Sequence, residues 1–152
     1  MAAGTPGRPF NLTGLDNSHK MPSLQEDLIR ILIVDDDVSL LNMLVEGLRR
    51  NQAYRVEGAR DGHDGLAKVG TFGPHLVILD LHLPGLDGFQ LCRKVKADPA
   101  TQPVKILAIT ARPEWALRDQ VLEAGADAFL AKPFRLAELQ AEVNRLVGAP
   151  RG

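Results

Sequence analysis

Apolar residues in this chain follow two alternating rhythms. Unbroken or nearly unbroken runs read as strands: "IRILIV" from Ile29, "YRVEGA" from Tyr54, "HLVILD" from His75, "VKILAIT" from Val104 and "ADAFLA" from Ala126. The stretches between them have helical spacing. Val38, Leu41, Leu44, Val45 and Leu48 form one stripe. "GHDGLAKVGTF" from Gly62 is a weaker helix with a glycine exit, and "GFQLCRKVKAD" from Gly88 stops at Asp98-Pro99. "PEWALRDQVLEAG" has proline near its start and Gly125 after its end. Leu136, Leu139, Val143, Leu146 and Val147 form the last stripe. Strand and helix alternate five times. Apolar strands separated by helices imply a parallel sheet covered on both faces. The expected fold is therefore α/β, a single doubly wound (βα)5 domain with a five-stranded parallel sheet.

The pattern also sets the domain limits. Residues 1–27 are rich in Gly, Pro, Asn and Ser, with few aliphatics, and predict a disordered leader, Met21 standing as a second candidate start. The ordered domain is expected over 28–148, with a short tail at 149–152. A length of 152 residues suits one domain with tails, and 45% hydrophobic against 24% charged residues allows a full core. A net charge of −1 argues against a broad nucleic-acid surface. No apolar run approaches the roughly 20 residues of a membrane span, and the N-terminus lacks a secretory-signal layout. Cys92 is the sole cysteine, so no internal disulfide forms. It sits among helical residues as a packing group, and the expected location is cytoplasmic.

The chemistry lies where the strands end. In an open parallel α/β sheet, sites form at the carboxyl ends of the strands, near the switch in strand order. Here those ends are Asp35-Asp36, Asp80, Thr110 and Lys132. Clustered carboxylates suit a hard cation such as Mg²⁺ (or Mn²⁺), and a lysine and a threonine can hold an anion's oxygens. The set suits phosphoryl transfer with a carboxylate as nucleophile.

The stretches "ILIVDDD", "LVILDLHLPGLDGFQL", "ILAITA" and "GADAFLAKPF", in this order and spacing, resemble the receiver domain of two-component response regulators, a chemotaxis-regulator-like fold. The resemblance covers about residues 29–148. It implies the flavodoxin-like strand order 2-1-3-4-5. It also implies that Asp80 is the phosphoacceptor, with Asp35, Asp36 and the backbone carbonyl of His82 helping to bind the metal. Thr110 matches the hydroxyl residue that moves to the phosphoryl group, and Lys132 the lysine that pairs with it. Phe129 stands at the switch aromatic position, and Lys132-Pro133 is expected to be cis. The implied partners are a sensor histidine kinase or histidine phosphotransfer protein and an unidentified output protein or domain. Signalling would run through the fourth helix, fifth strand and fifth helix, a surface that also admits a homodimer. Neither nucleic acid nor membrane is expected as a direct partner. The protein would catalyse only its own aspartyl phosphorylation and dephosphorylation.

Other features are weighed against this reading. Asp37 precedes the first helix and reads as its N-cap. "DGHDG" from Asp61 lacks the further ligands of a calcium loop and reads as a turn and cap. His19, His63 and His75 receive no role. Trp115 and Leu122 project away from the core stripe of Leu117, Val121 and Ala124, so they are candidates for an output face. His82 and Arg112 lie two residues after Asp80 and Thr110, in position to tune the lifetime of an aspartyl phosphate. Two rival functions are a receiver fold used only as an interaction module and a metal-dependent phosphatase. The first would not need an intact acid cluster. The second would turn over small phosphoesters, and the haloacid-type phosphatase motif calls for an aspartate where His82 stands.

Overall fold

Three aspartates switch the chain from strand to helix. Asp37, Asp61 and Asp87 each have extended backbone, and each accepts a backbone N–H three residues on, from Leu40, Asp64 and Gln90. Each thus satisfies an amide left orphaned at a helix start. The computed structural model describes residues 28–111 and 115–148. In chain order the elements are β1 (Ile29–Val34), α1 (Val38–Arg49), β2 (Tyr54–Ala59), α2 (Gly62–Phe72), β3 (Leu76–Asp80), α3 (Gly88–Ala97), β4 (Lys105–Thr110), α4 (Trp115–Glu123), β5 (Ala128–Ala131) and α5 (Leu136–Val147). The sheet is five-stranded and parallel, ordered β2-β1-β3-β4-β5. The doubly wound α/β fold and its expected strand order are what the structure shows. Among the described residues no helix is long and apolar enough to cross a membrane.

The period of two along each strand divides the core. Ile31, Ile33, Leu76, Ile78, Leu107 and Ile109 face α1 and α5, where they meet Leu44, Leu48, Leu139 and Val143. Leu32, Val34, Val77, Leu79, Ile106 and Ala108 face α2, α3 and α4, where they meet Val69, Leu91, Val95 and Val121. Consecutive strand residues are thus apolar for opposite layers, which explains the unbroken runs. Cys92 is buried in the second layer and its thiol donates to the Ala124 carbonyl at 3.4 Å. Burial pushes that thiol up to about 11, so it is a packing group and not a nucleophile near neutral pH. Asp127 ties the lower edge together: its Oδ2 accepts the Ile106 N–H (2.8 Å) and the Lys96 ammonium (3.3 Å).

Register then sets the upper edge. Val34 lies level with Leu79, so the next residues, Asp35 and Asp80, end adjacent strands side by side. Asp80 is level with Ile109, and Thr110 with Ala131, which places Lys132 one residue beyond the β4 end. The break between β1 and β3 is the point where strand order reverses, and that is where a ligand cleft opens in this fold.

Candidate functional site

The upper edge gathers two buried carboxylates, Asp35 and Asp80, with the fully buried Thr110 and the partly buried Lys132. The Lys132 ammonium bridges the pair, 3.1 Å from Asp35 Oδ2 and 3.2 Å from Asp80 Oδ2. The remaining oxygen of each carboxylate accepts a backbone N–H two residues on. Asp37 N–H donates to Asp35 Oδ1 at 2.9 Å, and His82 N–H donates to Asp80 Oδ1 at 3.0 Å. Both acids are therefore held in a single orientation. Asp36 is exposed at the rim, and oxygens of Asp35, Asp36 and Asp80 lie within 4.8 Å of one another.

The charges are strained against each other. Burial holds the Asp35 carboxyl above the usual carboxylate range, and the charge of Asp80 adds to this. The Asp37 N–H and the Lys132 ammonium only partly pull it back. Burial alone would lower the Lys132 ammonium, but Asp35 and then Asp80 outweigh it and leave it raised, so it stays charged. Among the described residues, three carboxylates cluster beside one ammonium, leaving surplus negative charge. That donor set, hard oxygens only and two of them buried, fits a divalent cation such as Mg²⁺.

The other expected site residues fall around this centre. The His82 side chain is exposed at the start of the β3–α3 loop. Phe129 is half-buried on β5 and packs against the core layer beneath α2, α3 and α4. Lys132-Pro133 is cis. Leu122 is exposed on α4, at 38%, while Val121 and Ala124 are buried. Arg112 and the side chain of Trp115 lie outside the described residues. Spacing did not reveal the Lys132–Asp35 pair, whose members are 97 residues apart. Nor did it reveal the two backbone amides that fix the acids, since every residue but proline carries such a donor and leaves no mark in the sequence.

The profile of the response regulator receiver domain family matches residues 31–144. This chain belongs to that family. Response regulator MprA of Mycolicibacterium vanbaalenii is 40% identical over 119 residues, 78% of this chain and 50% of that protein. Response regulator PleD of Caulobacter vibrioides is 40% identical over 117 residues, 77% of this chain and 26% of that protein. The chain thus spans about half or less of these relatives. Among solved structures, a response regulator from Chloroflexus aurantiacus is 37% identical with a TM-score of 0.74, covering 79% of this chain and 98% of that one. The chemotaxis protein CheY4 of Vibrio cholerae is 28% identical with a TM-score of 0.74, covering 78% and 98%. The BeF3-activated DrrB receiver domain is 31% identical with a TM-score of 0.71, covering 79% and 97%. The receiver domain described here therefore belongs to two-component phosphorelay signalling.

Proposed function

We propose that this receiver domain accepts a phosphoryl group on Asp80 from a phosphohistidine of a sensor kinase or phosphotransfer protein. The observation that carries this reading is the environment of Asp80, a buried carboxylate oriented by His82 N–H and Lys132 beside a second buried acid. One Asp80 oxygen attacks phosphorus, the P–O bond forms as the P–N bond breaks, and the imidazole, protonated beforehand on its other nitrogen, takes the P–N electron pair and leaves neutral. Lys132, already 3.2 Å from Asp80, pairs with the phosphoryl oxygens. Asp35 keeps that ammonium charged and in place. Asp35, Asp36 and Asp80, with the His82 carbonyl, would hold Mg²⁺ or Mn²⁺. Such a cation, when bound, neutralises charge developing on the transferred group. Thr110, at the end of β4, offers its hydroxyl to the phosphoryl group. Phe129 follows its movement on β5 and changes the α4-β5-α5 surface, with exposed Leu122 part of it. The related DrrB receiver domain is known in a BeF3-activated form, and BeF3 mimics a phosphoryl group, which supports phosphorylation as the activating event.

On this reading the protein is a switch, not a turnover enzyme. Residues 28–148 are the signalling unit, lying between the proposed leader at 1–27 and tail at 149–152. Phosphoramidate with Mg²⁺ should add one phosphoryl group to the wild-type chain and none to Asp80→Asn, read by intact mass. A label that persists in Asp80→Asn would place the nucleophile elsewhere. Steady hydrolysis of a small phosphoester would favour a phosphatase.

A further inference from the structure

Asp80 is oriented in part by a backbone N–H of His82, so the loop carrying that amide has to be held still. Residues 81–87 are held from within by Leu81, Leu83 and Leu86, all buried in the core layer beneath α2, α3 and α4. The loop closes with Gly88 N–H on the Leu81 carbonyl at 3.1 Å. Its outer support comes from a different element, the first turn of α2. A Cβ built on Gly62 would overlap the Leu86 carbonyl oxygen and stand 2.7 Å from its carbon and 2.9 Å from the Leu86 Cβ. The obstacle is mostly backbone, so no rotamer change relieves it. Next along the chain, the His63 ring lies beneath Gly85, where a Cβ would be 3.3 Å from its Cδ2. The first turn of α2 thus forms a wall against which the loop rests, and Gly62 is buried at the contact.

We propose that Gly62 is a positioning residue for the chemistry at Asp80. By presenting no side chain, it lets the 83–87 segment seat against α2 so that the His82 amide stays on Asp80 Oδ1. This inference rests on Asp80 being the phosphoacceptor. Gly62 touches neither Asp80 nor the transferred group, and it acts through the loop. Even a methyl group at position 62 pushes the Leu86 peptide outward, and the displacement travels four residues back along the loop to the amide of His82. A pocket held to within a few tenths of an ångström is sensitive to such a shift.

The test compares four proteins for the rate of Asp80 phosphorylation by phosphoramidate in saturating Mg²⁺, together with their thermal midpoints. They are wild type, Gly62→Ala, Leu86→Ala and Val69→Ala. Val69 is buried on the same helix, and its truncation weakens α2 packing without entering the contact at position 62. Gly62→Ala should be phosphorylated at least fivefold more slowly, and its His82 amide resonance should shift and lose hydrogen-exchange protection. Leu86→Ala, which loosens the loop seat without a clash, should slow at least threefold and answers the question if Gly62→Ala does not fold. Val69→Ala should lose thermal stability yet keep the wild-type rate. A folded Gly62→Ala or Leu86→Ala that reacts at the wild-type rate overturns the inference. So does a slowing in Val69→Ala equal to theirs, since that would make the effect one of general stability. Failure of the wild-type protein to be labelled at Asp80 would instead remove the phosphoacceptor reading.

Discussion

The imidazole of His75 does what no pattern of spacing suggests. Its Nδ1 accepts the backbone N–H of Arg30 at 2.9 Å, and Arg30 Nε donates to the Gly73 carbonyl at 2.7 Å. Together these pin the start of β1 to the α2–β3 turn. Only neutral imidazole can accept that bond. Partial burial of the ring, with the nearby Arg30 charge, holds the His75 pKa below 6.5. A group whose folded pKa is depressed binds protons more readily when unfolded, so stability rises with pH through this window. The contribution is complete above about 6.5 and fades as pH falls through the folded value. His75→Ala should therefore cost about 0.5–1 kcal/mol at pH 7.5, a modest figure because the pair is exposed. The gap between wild type and variant, read from urea midpoints, should narrow as pH falls below about 6.5. A constant gap would show that His75 acts through packing alone.

Two elements carry features with measurable consequences. α2 contains Gly70 at a position where an added Cβ meets nothing within 4 Å. A glycine inside a helix costs about 0.5–1 kcal/mol relative to alanine, chiefly through the unfolded chain's entropy. Gly70→Ala should raise stability by that amount and leave phosphorylation unchanged; a lower denaturation midpoint would contradict the open space. β2 is an edge strand, yet two of its outward carbonyls are occupied. Arg49 reaches from α1 to the Val56 carbonyl (Nη2 at 2.9 Å), and Lys68 reaches from α2 to the Gly58 carbonyl at 2.6 Å. Such side chains block pairing with another molecule's strand. The double variant Arg49→Ala/Lys68→Ala should self-associate at concentrations where wild type sediments at a constant lower mass. Identical sedimentation would show that the edge is protected by other means.

For the whole molecule the balance of charge at the upper edge matters most. The raised pKa of Asp35 means that its contribution to stability is present below its ordinary value of 3.8 and is lost as pH rises through the raised value. At neutral pH the ionised acid is therefore a cost to the fold, which a divalent cation on the three carboxylates offsets. Mg²⁺ at about 100 times its dissociation constant should add roughly 2.7 kcal/mol, a rise in melting temperature of roughly 10 °C for a domain of this size. Asp36→Ala should remove most of that rise. Superimposable melts with Mg²⁺ and with chelator would end the metal-site reading.

The sequence by itself determined the architecture and most of the site's membership. Unbroken apolar runs arise because alternate residues such as Ile33 and Val34 serve opposite core layers. Asp37, Asp61 and Asp87 end strand or loop and start a helix through bonds only three residues long. Such signals are local, so they survive in one dimension. Asp35, Asp80, Thr110 and Lys132 were legible as polar ends of apolar runs, since a parallel sheet brings its strand ends to one edge. Only the tertiary structure decided who pairs with whom there. Lys132 bridges Asp35 and Asp80, His75 accepts from Arg30, and Gly62 yields its place to Leu86. The partner in such contacts is a distant side chain or a backbone group that any residue could supply. Their formation depends on register, close approach and burial, which exist only once the layers have packed.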